Sequence, residues 1–249
     1  MMIRQMIMAV LLLQFSCWAY SAETKRVLPP AIKVAKASNF SLATGINNPV
    51  WNKQPGYAFM KLACQLDDLH RTALEEGVVK FLYDDNYFYV RAELTDSDVV
   101  NNARANGGFL YRDGDLLEVF VKPVDKPYYW EIYGTPNKLF SCFHYRSRGT
   151  LGLATGFIVD DCKILVDARV NGTMNDPRDV DRSWTVLIAI PAKELTRHGA
   201  AWTAGSKWQI MAARYNYSRY LSAFENSSYP QVPFSNHALE HYAVMELLK

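Results

Sequence analysis

The sequence predicts an all-β protein, a single antiparallel β-sandwich of jelly-roll or immunoglobulin-like type with little helix. Three observations carry that expectation. Short runs of β-branched and aromatic residues recur along the chain, and clusters of Asp, Asn, Gly and Pro separate them. No strand-like run alternates with a helix-length segment as a βαβ unit requires.

The elements follow in order. Val78–Tyr83 and Tyr87–Leu94 flank Asp84-Asp85-Asn86 and read as a hairpin around a short polar turn. Leu116–Val121 is the next strand, ended by Pro123. Tyr128–Tyr133 follows the turn at Asp125-Lys126-Pro127, and Lys138–Tyr145 follows Gly134-Thr135-Pro136-Asn137. Lys163–Val170, Trp184–Ile190 and Trp208–Tyr217 repeat the pattern, and Tyr242–Leu248 closes it. Helix is confined to one turn at Pro191–Leu195 and a short piece within Leu66–Glu76. With no repeat and no low-complexity linker after residue 40, the expected organisation is a signal peptide (1–22), an N-terminal extension (23–39) and one sandwich domain (40–249).

The signal peptide is read from the charged Met1–Arg4, the apolar Ile7–Phe15 and the small residues Ala19, Ser21 and Ala22. The apolar run is too short to cross a bilayer, and no later run has that length, so an exported, periplasmic or extracellular product without a membrane span is expected. A formal net charge of +2 without a basic stripe argues against nucleic acid as a partner. Beyond the leader stand Cys64, Cys142 and Cys162. Export permits a disulfide, for which Cys142 and Cys162 are the expected pair, with Cys64 left buried and inert. None has the spacing of a zinc site.

Glu118 and Glu131 lie on consecutive expected strands, and a glycoside hydrolase needs two acids facing one another across a sugar-sized gap. No hydrolase signature accompanies them. His70, His144, His198, His237 and His241 are scattered, and no Gly-x-Ser-x-Gly elbow marks a serine nucleophile, so no catalytic residue is assigned. Asp84, Asp85, Asp96, Asp98, Asp113 and Asp115 crowd the connections, where they can cap turns or offer oxygen to a hard cation. Asp84, Asp96 and Asp98 are the candidate ligands of a structural calcium ion. No organic cofactor is expected.

Aromatic residues are the richest signal. Sugar rings pack their C–H faces on aromatic planes, while their hydroxyls need a few placed polar groups. Tyr111 near Glu118, and Phe224 beside Glu225 and Asn226, have that mixture. Strict alternation along Leu116–Val121 directs Leu117, Val119 and Val121 into the sandwich and Glu118 to the opposite face, free to meet a ligand groove.

Trp51, the hairpin around Tyr83-Asp84-Asp85-Asn86-Tyr87, Asp96-Ser97-Asp98 and Asp115-Leu116-Leu117-Glu118-Val119-Phe120 then fall into a recognisable order. Tyr129-Trp130-Glu131-Ile132, Trp184-Thr185-Val186, Trp208–Arg214 and Tyr242–Leu247 continue it. Over residues 40–249 this order resembles the family 9 carbohydrate-binding modules. The resemblance implies a β-sandwich that binds reducing ends of glucan and xylan chains between two tryptophans, with calcium supporting the structure. It places Glu118 at the sugar-contacting glutamate. Tyr111, with Arg112 in the aligned place, stands for the first tryptophan, and Phe224, Tyr229 or Phe234 for the second. The expected ligand is an oligo- or polysaccharide, held by Tyr111, Arg112, Glu118, Trp130, Glu131, Arg214, Phe224 and Asn226, with a glycoside hydrolase as a potential partner. Two further readings stand beside it. One is a haem-binding sandwich using residues such as Met60, Met174, Met211, His144 or His237. The other is a glycoside-active enzyme using Glu118 and Glu131.

Overall fold

The computed structural model describes residues 29–38, 40–62, 73–148 and 162–249. The expected signal peptide, Cys64 and residues 66–72 of the expected short helix lie outside the described residues.

Two sheets form the sandwich. In the first, β1 (Ile32–Val34), β13 (Ala243–Leu247), β11 (Lys207–Asn216), β6 (Leu116–Pro123), β7 (Tyr129–Gly134) and β8 (Phe140–Tyr145) lie in that spatial order. The outer edge of β11 is divided. Its residues 207–210 pair with β13, and residues 212–216 pair with β12 (Glu225–Tyr229), which in turn pairs with β3 (Met60–Lys61). The second sheet runs β2 (Tyr57–Ala58), β4 (Gly77–Tyr83), β5 (Tyr87–Thr95), β10 (Ser183–Pro191) and β9 (Leu165–Asn171). Every pairing is antiparallel except β1 with β13. One short helix, α1 (Ala192–Thr196), follows β10.

The expected hairpin is β4–β5, and the strands expected later in the chain are present within a residue or two at each end. Four strands were not foreseen. β1, β2 and β3 are two or three residues long, too short to show a period. β12 has the sequence Glu-Asn-Ser-Ser-Tyr and reads as a loop, yet four of its five residues are buried. β1 lies in the segment expected to be an extension and forms the edge of the first sheet.

Alternation sorts the side chains into layers. Between the sheets pack Leu117, Val119 and Val121 of β6, Trp130 and Ile132 of β7, and Trp208, Ile210 and Ala212 of β11. They meet Phe81, Phe88, Val90, Trp184, Val186 and Ile188 of the second sheet. The outer face of the second sheet is covered by Phe40, Ile46 and Trp51, which meet Tyr89 and Leu187. The outer face of the first sheet carries Leu116, Phe120, Tyr129, Tyr133, Phe143 and Met211, covered by Leu110 and by Val232, Ala238 and Tyr242 of the β12–β13 connection. Cys142 and Cys162 are buried, with their thiols in mutual hydrogen-bond contact, but both are free, so the expected pair is adjacent without being bonded.

Candidate functional site

Side chains on the outer face of the first sheet fall into rows across the strands. Ala213, Glu118, Tyr133 and Ser141 share one row, and Met211, Phe120, Glu131 and Phe143 the next. Glu118 and Glu131 are therefore diagonal neighbours, close enough for long side chains to meet. Their carboxyl groups hydrogen-bond to each other. Glu118 lies on the face that alternation assigned it. The open groove expected there is absent, because the β12–β13 connection folds over both acids and leaves each only 2 % exposed.

That cover is held by specific bonds. Asn236 donates its side-chain amide to Glu118 Oε2, while the Tyr242 hydroxyl donates to the Asn236 carbonyl. The Tyr133 and Tyr145 hydroxyls bond to Glu131. His237 sits edge-on to Phe120 at 5.1 Å, its Nδ1 2.9 Å from the Tyr129 hydroxyl. Burial, then the charge of Glu131 and the bond to it, push the Glu118 carboxyl well above the usual carboxylate range. In so dry a site, beside a second carboxyl, Glu118 holds its proton more tightly than a free acid does. Both geometries of glycoside hydrolysis require carboxyl groups about 5–9.5 Å apart with substrate between them. A hydrogen-bonded, covered pair is neither.

At the end of the same face lies a row of aromatic rings. Tyr111 stacks on Tyr215 with centroids 5.3 Å apart. Phe224 lies parallel to Tyr215 at 6.3 Å and stacks on Tyr217 at 5.5 Å. On the other side Phe109 contacts Tyr111 at 5.9 Å and stacks on Phe143 at 5.4 Å. The Arg112 guanidinium lies over Phe109 and Tyr111, 5.1 and 5.6 Å from their centroids. Phe109 and Phe224 are 47 % and 42 % exposed.

Local structure explains the placement. Tyr215 and Tyr217 are two residues apart at the end of β11 and share its outer side. Leu110 is buried in the turn 110–112, which anchors Phe109 and Tyr111 on either side of it. Gly114 carries that turn into β6 with φ +140°, and a Cβ there would stand 2.1 Å from the Val100 carbonyl oxygen. Only glycine fits so close a backbone contact. The Tyr217 hydroxyl donates to the Tyr111 carbonyl at 2.8 Å, tying β11 to the turn.

The remaining expected site residues lie elsewhere. Trp130 points between the sheets and is fully buried, its indole N–H 3.3 Å from Glu194. Arg214, neighbour in sequence to Tyr215, points inward. Its guanidinium donates to Asp96 at 2.9 Å and to the Glu75 carbonyl at 3.1 Å. Asp96 also accepts from the Trp184 indole at 3.1 Å. Burial pushes Asp96 up to about 6 against the opposing pull of Arg214. Asn226 is buried in β12, opposite Tyr215 in the ladder.

The three aspartates considered for calcium do not assemble. Asp84 precedes β5 and Asp96 follows it, so the length of a nine-residue strand, roughly 30 Å, separates them. Asp84 accepts from the amides of Asn86 and Tyr87 and from the Tyr89 hydroxyl. Asp98 pairs with Arg219 at 3.0 Å. Among the described residues no group of three or more His, Cys, Asp or Glu side chains is arranged to hold a metal ion. Of the residues weighed for haem, Met174 packs on the inter-sheet core, while Met211 and His237 belong to the outer face. His144 stacks on His198 at 4.3 Å.

The structure thus joins Tyr111, Arg112 and Phe224 in one surface row and sets Glu118 and Glu131 on the same face, beneath cover. Phe109, Tyr215, Asn236 and His237 complete the arrangement and were not among the residues expected to hold a sugar, His237 having been weighed only for haem. The Tyr215-x-Tyr217 spacing, which aligns two rings on one strand face, was the available signal for the row.

Residues 44–137 match the family described as carbohydrate family 9 binding domain-like. Three solved structures share the fold. One is a Bacteroides uniformis protein provisionally assigned to carbohydrate binding, 13 % identical, with a TM-score of 0.63, covering 87 % of this chain and 98 % of its own. The others are of a family 9 module from Caldicellulosiruptor kristjanssonii. Its cellotriose complex is 12 % identical, with a TM-score of 0.53 and coverage of 88 % and 93 %. Its glucose complex is 14 % identical, with a TM-score of 0.51 and coverage of 87 % and 95 %. No curated protein matches the chain. The resemblance read from the sequence stands at the level of the fold.

Proposed function

We propose that this protein is an exported, non-catalytic carbohydrate-binding protein whose ligand packs on the row Phe109–Tyr111–Tyr215–Phe224. The observation that carries this reading is the pair of large exposed rings, Phe109 and Phe224, joined by Tyr111 and Tyr215, with the Arg112 guanidinium over Phe109 and Tyr111. Apolar rings left in water beside a cationic donor suit a ligand with C–H faces and hydroxyl edges. Similarly folded modules bound to cellotriose and glucose support the same ligand class. Arg112 supplies polar contact at the surface, while Glu131 holds the Tyr133 hydroxyl and the Tyr133 ring meets Tyr111 edge-on at 6.3 Å, bracing the row. Nothing in the row cleaves a glycosidic bond, so cleavage falls to a separate enzyme.

A glycan array probed with the mature protein and with F224A tests this. Binding to a defined set of glycans by the native chain, and its loss in F224A, is the expected result. An array blank for the native chain refutes the proposal.

A further inference from the structure

We infer that Cys142 and Cys162 are a dithiol–disulfide couple, which oxidation by a small disulfide of the glutathione type closes into a covalent clamp between the two sheets. The couple stands apart from the ligand-binding reading above. Cys142 lies in β8, opposite Ile132 in the ladder with β7. β8 ends the strand order of the first sheet and β9 that of the second, and the two share no ladder. Cys162 stands just before β9, with the buried Ile164 between them. Both cysteines belong to the core between the sheets, and each is 2 % exposed. Their thiols are free and in mutual hydrogen-bond contact, so little movement of either side chain brings the sulfurs to bonding distance. Cysteines that serve only as small apolar groups have no need to meet in this way.

The surroundings suit a lasting bond better than a reactive thiol. A nucleophilic cysteine needs exposure and a positive neighbour that holds its thiolate. Contact with Cys162, then burial, push the Cys142 thiol well above its ordinary range. Arg197 is near, but its guanidinium pairs with Glu194 at 3.2 Å. Cys142 therefore stays protonated in the folded chain, and the same burial shields a finished bond from reducing thiols. Exchange falls to the folding chain, while the sulfurs are still within reach of solvent. One protein thiolate attacks a sulfur of the small disulfide and expels one small thiol, leaving a mixed disulfide. The second protein thiolate then displaces the other small thiol and closes the Cys142–Cys162 bond. Two protein thiols and one small disulfide become one protein disulfide and two small thiols, which carry away both protons. The bond closes the ring of residues 142–162 and ties β8 to the segment that leads into β9.

The test refolds the mature chain from urea in two buffers, one with oxidised and reduced glutathione and one with reductant alone. Free thiols are then alkylated and the peptides mapped by mass. The oxidised sample should yield the Cys142 and Cys162 peptides joined, two hydrogens lighter than their reduced sum, with Cys64 alkylated. The oxidised chain should melt roughly 10 °C above the reduced one, the scale of the chain entropy that such a ring removes. C64S should keep that difference and C142A should abolish it. Should C142A fail to fold, mapping and melting of the native and C64S chains carry the test without it. Three results would overturn the inference: Cys142 and Cys162 both alkylated after oxidative refolding, Cys64 bonded in place of either, or an oxidised chain that melts no higher than the reduced one.

Discussion

On its inward side the first sheet buries Asp96 against Arg214, and on its outward side it buries Glu118 against Glu131. The two clusters are alike in depth, for Asp96 and Arg214 are 0 % exposed and the two glutamates 2 %. They differ in how charge is met. The inward acid bonds a guanidinium that reaches it across the sandwich, from β11 of one sheet to the end of β5 in the other. Among the described residues the outward acids have no Lys or Arg in contact; they have tyrosine hydroxyls, an asparagine amide, the His237 ring 3.6 Å from Glu131, and each other. An ion pair between sheets fixes how the layers meet. An acid whose proton is held so tightly opposes folding as pH rises, and Glu118 persists here under the β12–β13 connection, bonded to Asn236 and beside Tyr133 in the sheet. The inward cluster is therefore architecture, and the outward one, on the face proposed above to bind a ligand, is held at some expense of stability.

The largest expected effect breaks the inward cluster. Arg214→Met leaves Asp96 buried without its cation, and removing one partner of a buried pair costs about 3–5 kcal/mol. Urea denaturation should show that loss or no folded protein. Adding Asp96→Asn to Arg214→Met should recover part of it, because the stranded charge is then gone. A single mutant as stable as the native chain would show that the guanidinium is solvated and that the inter-sheet pair carries little.

The outward cluster predicts the opposite sign. The folded-state pKa of Glu118 is raised well above its ordinary 4.5. The folded state therefore holds a proton that the unfolded chain releases, so this contribution is fully present below pH 4.5 and is lost as pH rises through the folded value. Glu118→Gln imitates the protonated acid and still accepts from Asn236. It should raise Tm at neutral pH by a few degrees, about 1 kcal/mol or more for a chain of this size, and the gain should vanish near pH 4. Destabilisation at every pH would instead mean that Glu118 is ionised in the folded state and satisfied as an anion.

One side of this contrast was legible in the sequence. The alternation of Leu116–Val121 placed Glu118 on the outer face correctly. The same rule argues that Trp130 cannot share a face with Glu131, nor Arg214 with Tyr215, since consecutive strand residues point in opposite directions. Grouping them in one site contradicted the period that defined the strands. The cover over Glu118 was not legible, because Asn236 stands 118 residues away and a sheet face does not disclose which loop will close on it. Arg214 and Asp96 are likewise 118 residues apart. β12 escaped notice because its buried residues are polar, and their partners, such as Leu74 for Glu225, come from far upstream.

The smallest expected effect on stability is the most discriminating for function. Phe224 is 42 % exposed and Phe109 47 %, so truncating either removes a ring that folding has only half withdrawn from water. Surface substitutions of this kind usually change stability by no more than about 0.5 kcal/mol. F224A and F109A should thus unfold at the native urea midpoint, in contrast to Arg214→Met, while glycan binding falls. A midpoint shift as large as that of the Glu118 variant would place the rings in the structural core of the outer face. The row would then be an extension of the packing around Phe120 and Tyr133, and the separation of architecture from binding surface would fail. An unchanged midpoint with lost binding fits a protein that spends buried acids to seat its rings and leaves the rings themselves free for a ligand.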